Sequence, residues 1–210
     1  MTTPIRFIAL EGIDGSGTTT QTARLGAHLR AQGYVVTQTA EPSKGPIGQR
    51  CREALSMQPP LDDGVLALLF AADRLDHLAR CINPALDAGH VVLCDRYLLS
   101  SLAYQGLSLP QGWLAGINGR IRSPDVTLLL EVPVDTAQQR VTARGGTQEQ
   151  FDAIELQRRI SQNYQALAQA QSPLTGPIRC LDGEGSQEEV AQRIIQTIDG
   201  LMTRSPAAKL

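Results

Sequence analysis

Short apolar runs alternate along this chain with longer stretches whose apolar residues recur at helical spacing. The runs at 5–10, 34–37, 91–94, 126–130 and 178–181 read as five strands. They are nearly continuous rather than alternating, which fits a parallel sheet buried on both faces. Helical periodicity fills the intervals at about 18–32, 45–56, 62–88, 98–106, 111–120, 135–144, 152–170 and 186–202, and Gly33 stops the first of them. This alternation predicts an α/β fold, a doubly wound five-stranded parallel sheet with helices on both faces. No repeat or long linker divides the chain, so a single domain is expected over 1–204, with a frayed tail at 205–210. The polar run 145–150 reads as a connection between two helices. Ligands of such sheets gather at the carboxyl ends of the strands, so polar residues there carry the most information.

The first strand runs into Glu11-Gly12-Ile13-Asp14-Gly15-Ser16-Gly17-Thr18-Thr19-Thr20. Gly12 and Gly17 have the spacing of G-x-x-x-x-G-K-[ST], with Thr19 at the hydroxyl position that meets Mg²⁺. Glycines there let successive amides face an anion, and the following helix adds its positive end. The candidate phosphate-binding residues are Gly12, Asp14, Gly15, Ser16, Gly17, Thr18, Thr19 and Thr20. Thr18, however, stands where the motif has lysine. An ordinary strand–turn–helix connection is the alternative. Losing one preorganised charge-stabilising donor raises a barrier by roughly 2.7–4 kcal/mol. Lys44 and the arginines around 140–144 are the candidates to replace it.

In the helix expected at 62–88, Val65, Leu68, Leu69, Ala72, Leu75, Ala79, Ile82 and Leu86 form the expected core stripe. Phe70, Arg74 and His77 fall on the opposite side, an aromatic plate beside a forked donor suited to a nucleobase. A subunit interface or a solvated face would explain them equally. The third strand ends in Asp95-Arg96-Tyr97, followed by Ser100-Ser101-Leu102-Ala103-Tyr104-Gln105-Gly106. Asp95 is placed to serve Mg²⁺ and Arg96 to clamp a phosphate. Ser101, Tyr104 and Gln105 offer hydrogen bonds to a base or sugar. An Asp–Arg pair that fixes a loop is compatible with both roles.

Composition narrows the partners. The net charge of −2 gives no basic field for nucleic acid, and no apolar run approaches the roughly 20 residues that span a bilayer. The start of the chain shows no signal-peptide pattern, so a cytoplasmic protein acting on small molecules is expected. Cys51, Cys81, Cys94 and Cys180 form no C-x-x-C pair and read as free, buried thiols, and His28, His77 and His90 lack metal-ligand spacing. Arginine supplies 17 of the 19 basic residues, Lys44 and Lys209 being the only lysines.

Taken together, these blocks resemble bacterial and archaeal thymidylate kinases over nearly the whole chain. They are the phosphate loop, Glu41-Pro42, Ile47-Gly48 with Arg52, the 69–74 block with His77, Asp95-Arg96-Tyr97, the 100–106 block, and 124–130 with Val132-Pro133. The resemblance implies a P-loop NTPase-type fold with a helical lid, here at about 140–157, and transfer of the γ-phosphoryl group of ATP to dTMP with Mg²⁺, a step toward dTTP. It implies that Phe70 stacks on thymine while Arg74 and Gln105 hydrogen-bond it. Asp14 would take the sugar 3′-hydroxyl, and Tyr104 would close the sugar pocket. Arg96, with Arg52, would grip the acceptor phosphate. Amides of 15–19 would cradle the ATP phosphates, and the loop at 182–184 would border adenine. The family is usually homodimeric through central helices.

The chain departs from the family at Thr18, at Ala40 with Ser43-Lys44-Gly45, and at Gln148-Glu149-Gln150 in the lid. Arg140 or Arg144 is expected to bring the missing charge. Two alternatives stay open: another deoxynucleotide or deoxynucleoside kinase, and a nucleotide-binding protein with weak or lost activity.

Overall fold

The computed structural model describes residues 5–143 and 151–203. Arg144, the 145–150 connection, part of the expected lid and the 205–210 tail lie outside the described residues. The strands are β1 (Phe7–Glu11), β2 (Val36–Ala40), β3 (Val91–Asp95), β4 (Val126–Glu131) and β5 (Ile178–Asp182). The helices are α1 (Thr18–Ala31), α2 (Pro46–Leu55), α3 (Asp63–His77), α4 (Asn83–Asp87), α5 (Leu98–Tyr104), α6 (Gln111–Ile117), α7 (Val134–Ala143), α8 (Phe151–Ala170) and α9 (Gln187–Thr203). The strands form one all-parallel sheet in the order β2-β3-β1-β4-β5. The doubly wound α/β fold is therefore as the sequence predicts.

Successive strand side chains point to opposite faces, and the core divides accordingly. Ile8, Leu10, Leu93 and Leu128 pack beneath α1 and α9, against Leu25, Leu29, Val190 and Ile194. Phe7, Ala9, Val92 and Cys94 face the other way, against Leu78 and Ile82 and against Leu98, Leu102 and Leu114 of α5 and α6. Ile160, Tyr164 and Ala168 bring α8 onto Leu129 and Ile178. The Asp125 carboxylate fixes the start of β1 by accepting from the amides of Arg6 and Phe7, both at 2.8 Å.

Three expectations need correction. The first concerns α3. Val65, Leu68, Ala72, Leu75 and Ala79 are exposed, whereas Ala71, Asp73, Arg74 and His77 are buried. In sequence the buried face looks like an outer one because its polar groups have distant partners that no local pattern reveals. A π-helical turn at Leu78–Ile82 then shifts the register between α3 and α4, so Ile82 and Leu86 return to the core. Second, β2 runs to Ala40 through Gln38 and Thr39. It is an edge strand whose polar side chains find partners, Gln38 on the Thr22 carbonyl at 2.7 Å and Thr39 on His77 at 2.6 Å. Third, all four cysteines are free, but Cys81 is only partly buried and Cys180 is exposed. Among the described residues, no helix is long and apolar enough to cross a membrane.

Candidate active site

The carboxyl ends of β1, β2 and β3 come into register, with Leu10 and Ala40 both aligned to Asp95. Polar residues that follow these strands therefore converge. Between β1 and α1 the chain turns through Gly15 and Gly17 with φ of 83° and 97°. A Cβ on Gly15 would lie 2.2 Å from the Ala137 carbonyl oxygen, while the space beside Gly17 is open to 4 Å. Gly17 caps α1 without a side-chain hydrogen bond, and no acidic residue stands in the first turn. The leading amides of α1 are thus left for an anion.

Two clefts are bordered by residues of this loop. The first, of about 220 Å³, is walled by Asp14, Phe70, Arg74, Arg96, Ser101, Tyr104 and Gln105, together with Glu41, Pro42, Leu55, Tyr97 and Ser100. The second, of about 200 Å³, is walled by Ser16, Gly17, Thr20, Gln21, Arg140, Ala143, Gly183, Gly185, Gln187 and Val190.

Arg96 centres the first cleft. It holds a left-handed backbone, φ 65°, directly after β3, an unusual conformation for a non-glycine residue. Its Nη2 donates to Asp14, and its Nη1 reaches Ser100 Oγ and Tyr104 Oη, each at 3.4 Å. The guanidinium carbon lies 5.5 Å from the Tyr104 ring centre. Burial disfavours the Arg96 charge, but the oxygens of Tyr104, Tyr164, Asp14 and Glu11 outweigh it, so its pKa is raised. Burial lifts the Tyr104 hydroxyl to about 12, opposed by Arg96.

Arg74 is held by several neighbours. Its Nε donates to Glu41 Oε2 at 2.9 Å, Nη1 to Asn118 Oδ1 at 2.6 Å and Nη2 to Ser101 Oγ at 2.8 Å. Glu41 also meets His77 Nδ1 at 3.2 Å. Arg52 lies outside the cleft wall. Its Nη1 donates to the carbonyls of Pro42 and Ser43 at 2.9 and 2.7 Å and so braces the loop after β2. Ser43 is anchored in turn on Asp73, and Lys44 is exposed.

Several residues here carried no role in the sequence reading. Glu11 is fully buried at the end of β1. Its Oε1 accepts from the amides of Tyr97 and Ser100, at 2.9 and 3.2 Å, and so caps α5. Its Oε2 accepts from the Ser100 hydroxyl and meets Tyr164 Oη at 3.4 Å. Burial raises the Glu11 pKa, against the hydrogen bond from Ser100 and the charge of Arg96. Asn118 and Tyr164 left no local signal. Glu41 left a weak one, a carboxylate directly after a strand.

At the loop itself, Thr19 Oγ1 donates to Asp95 Oδ2 at 2.5 Å. Among the described residues Asp95 Oδ1 is buried without a hydrogen-bond partner. A carboxylate oxygen left over beside a hydroxyl suits a hard cation. Among the described residues no cluster of three or more His, Cys, Asp or Glu could hold a metal by itself, so phosphate and water oxygens would complete the shell. In the second cleft Arg140 ties the loop to the segment after β5. It donates to the Ser16 carbonyl at 3.4 Å and to those of Gly183 and Gly185 at 3.0 and 3.3 Å.

An all-parallel α/β sheet with a glycine loop between its first strand and helix, and two clefts bordered by that loop, defines a P-loop phosphotransferase. The thymidylate kinase family profile matches residues 10–194. A probable thymidylate kinase of Pyrococcus abyssi is 42% identical over 200 residues, covering 91% of this chain and 95% of its own length. A thymidylate kinase of Thermomicrobium roseum is 40% identical over 206 residues, covering 94% and 96%. The chain belongs to the thymidylate kinase family, whose members are nucleoside monophosphate kinases. Neither the fold nor the relatives support the alternative of a protein with weak or lost activity.

Proposed function

We propose that the chain phosphorylates dTMP to dTDP with ATP and Mg²⁺, the monophosphate lying in the Phe70–Arg96 cleft and the triphosphate in the Arg140 cleft. One observation carries this assignment: both clefts are bordered by the same glycine loop, one lined by Phe70, Arg74, Arg96 and Tyr104, the other by Ser16, Gly17 and Thr20 of the loop with Gly183, Gly185 and Arg140. Phosphoryl transfer needs positioning and charge neutralisation more than covalent chemistry from the protein. Phe70 stacks on thymine, and Arg74 and Gln105 hydrogen-bond it. Tyr104 and Asp14 bound the sugar, and Asp14 releases Arg96 to the acceptor phosphate. Arg52 acts on that phosphate only by moving off the Pro42 and Ser43 carbonyls. Amides of 15–19 hold the donor phosphates. Mg²⁺ held by Thr19 and Asp95 would neutralise charge on the transferring group. Arg140 or Arg144 supplies the charge missing at Thr18 as the lid closes and excludes water.

The exposed residues Val65, Leu68, Ala72, Leu75 and Ala79 recur at alternating spacings of three and four, the seam of a helix that packs on another helix. They support a homodimer through α3, which Leu68→Glu with Leu75→Glu would convert to a monomer in sedimentation. Four free thiols support a cytoplasmic setting. The assignment of substrate is tested by ADP release with a panel of nucleoside monophosphates in Mg²⁺. dTMP should be preferred, and a chain that turns over none of them would refute it.

A further inference from the structure

Asn118 follows the last turn of α6 and is 1% exposed. Its Nδ2 donates to the Leu114 carbonyl one turn back, at 2.9 Å, so Oδ1 is the atom turned to Arg74 Nη1 at 2.6 Å. We propose that Asn118 is a positioning residue for acceptor choice, because its carboxamide sets which Arg74 hydrogen remains for the base. The inference rests on the assignment of the acceptor base to the Phe70–Arg74 cleft.

The Arg74 guanidinium has few hydrogens to spare. Nε is taken by Glu41. Nη2 is shared among Ser101 Oγ, Glu41 Oε2 at 2.8 Å and, more weakly, the Tyr97 carbonyl at 3.4 Å. One Nη1 hydrogen goes to Asn118, which leaves the other for a ligand. The guanidinium carbon also sits 5.2 Å from the Tyr97 ring centre, which limits tilting. A donor fixed in this way accepts a pyrimidine with a carbonyl at C4, as in thymine or uracil. Cytosine, which presents an amine there, leaves both groups unpaired. Without Asn118, Nη1 keeps a donor but loses the partner that aims it, so the donor becomes free to turn and the discrimination blurs.

Steady-state kinetics of Asn118→Ala with dTMP and dCMP test this. The expected result is a KM for dTMP raised about tenfold, with kcat within about twofold, an unchanged KM for ATP and a narrowed preference over dCMP. Asn118→Asp, which gives up the hydrogen bond to the Leu114 carbonyl but keeps an oxygen toward Arg74, should return the KM for dTMP to within about threefold of the parent. An unchanged KM for dTMP in Asn118→Ala, or a loss spread evenly over kcat and both KM values, overturns the proposal. Should Asn118→Ala not fold, the Asp variant decides alone, and a tenfold rise in its KM for dTMP overturns the proposal. Phe70→Ala separates the two layers. If it too leaves the KM for dTMP untouched, the base lies elsewhere and the cleft assignment itself falls; if it raises that KM while Asn118→Ala does not, only the role of Asn118 falls.

Discussion

The two clefts beside the phosphate loop are built from different material. The Phe70–Arg96 cleft is walled by side chains that hold one another before any ligand arrives: Arg74 on Glu41, Asn118 and Ser101, and Arg96 on Asp14, Ser100 and Tyr104. The Arg140 cleft is lined by Ser16, Gly17, Thr20 and Gln21, by Gly183 and Gly185, and by one arginine that donates to three carbonyls. Side chains with fixed donors discriminate among bases, whereas a cradle of amides holds any polyphosphate. Under the proposed assignment, selection resides in the first cleft, and threonine at position 18 leaves the cradle intact because its donors are main-chain amides.

Arg96 offers the largest way to break this comparison. Arg96→Ala should lower kcat with dTMP by about a hundred- to a thousandfold while leaving the KM for ATP near the parent value. A proportionate rise in the KM for ATP would mean that the clefts are not separable. Arg140 comes next. If it or Arg144 supplies the charge absent at Thr18, one of Arg140→Ala and Arg144→Ala loses about a hundredfold in kcat. Unchanged kcat in both would leave that charge unaccounted for. Thr18→Lys is a smaller probe of the same idea. With the charge already supplied, kcat should change by less than about threefold, and a gain of a hundredfold would show that the loop lacked its cation.

Glu11 gives the smallest effect, one of stability. Burial raises its pKa above 4.5. The folded chain then binds this proton more tightly than the unfolded chain does, so the Glu11 contribution to stability falls as pH rises from about 4.5 toward the folded pKa. Glu11→Gln, which can still accept from the Tyr97 and Ser100 amides, should flatten that part of the pH profile of unfolding free energy. A profile of unchanged slope would contradict the account of Glu11.

The sequence disclosed the parts that depend on neighbours in the chain. β1, β3 and β4 are continuous apolar runs because both of their faces are covered, and the phosphate loop follows β1 within a few residues. Arg96, Ser101, Tyr104 and Gln105, proposed for the acceptor, follow β3 closely in the chain and line one cleft. Contacts across long separations are not legible in this way. Arg74 meets Asn118 across 44 positions, and Tyr164 meets Glu11 across 153. For the same reason the sequence pattern of α3 points to the wrong face. A buried face carrying Asp73, Arg74 and His77 looks like a surface until Glu41, Ser43 and Thr39 are placed against it. An exposed apolar seam looks like a core until the sheet is seen to lie on the other side.

Crystals grown with ADP, Mg²⁺ and dTMP test the central claim most directly. The account predicts the terminal phosphate of ADP on the amides of 15–19, the thymine ring against Phe70 within reach of Arg74, and the monophosphate on Arg96. A polyphosphate lodged away from that loop, or a thymine outside the Phe70–Arg74 cleft, would contradict it.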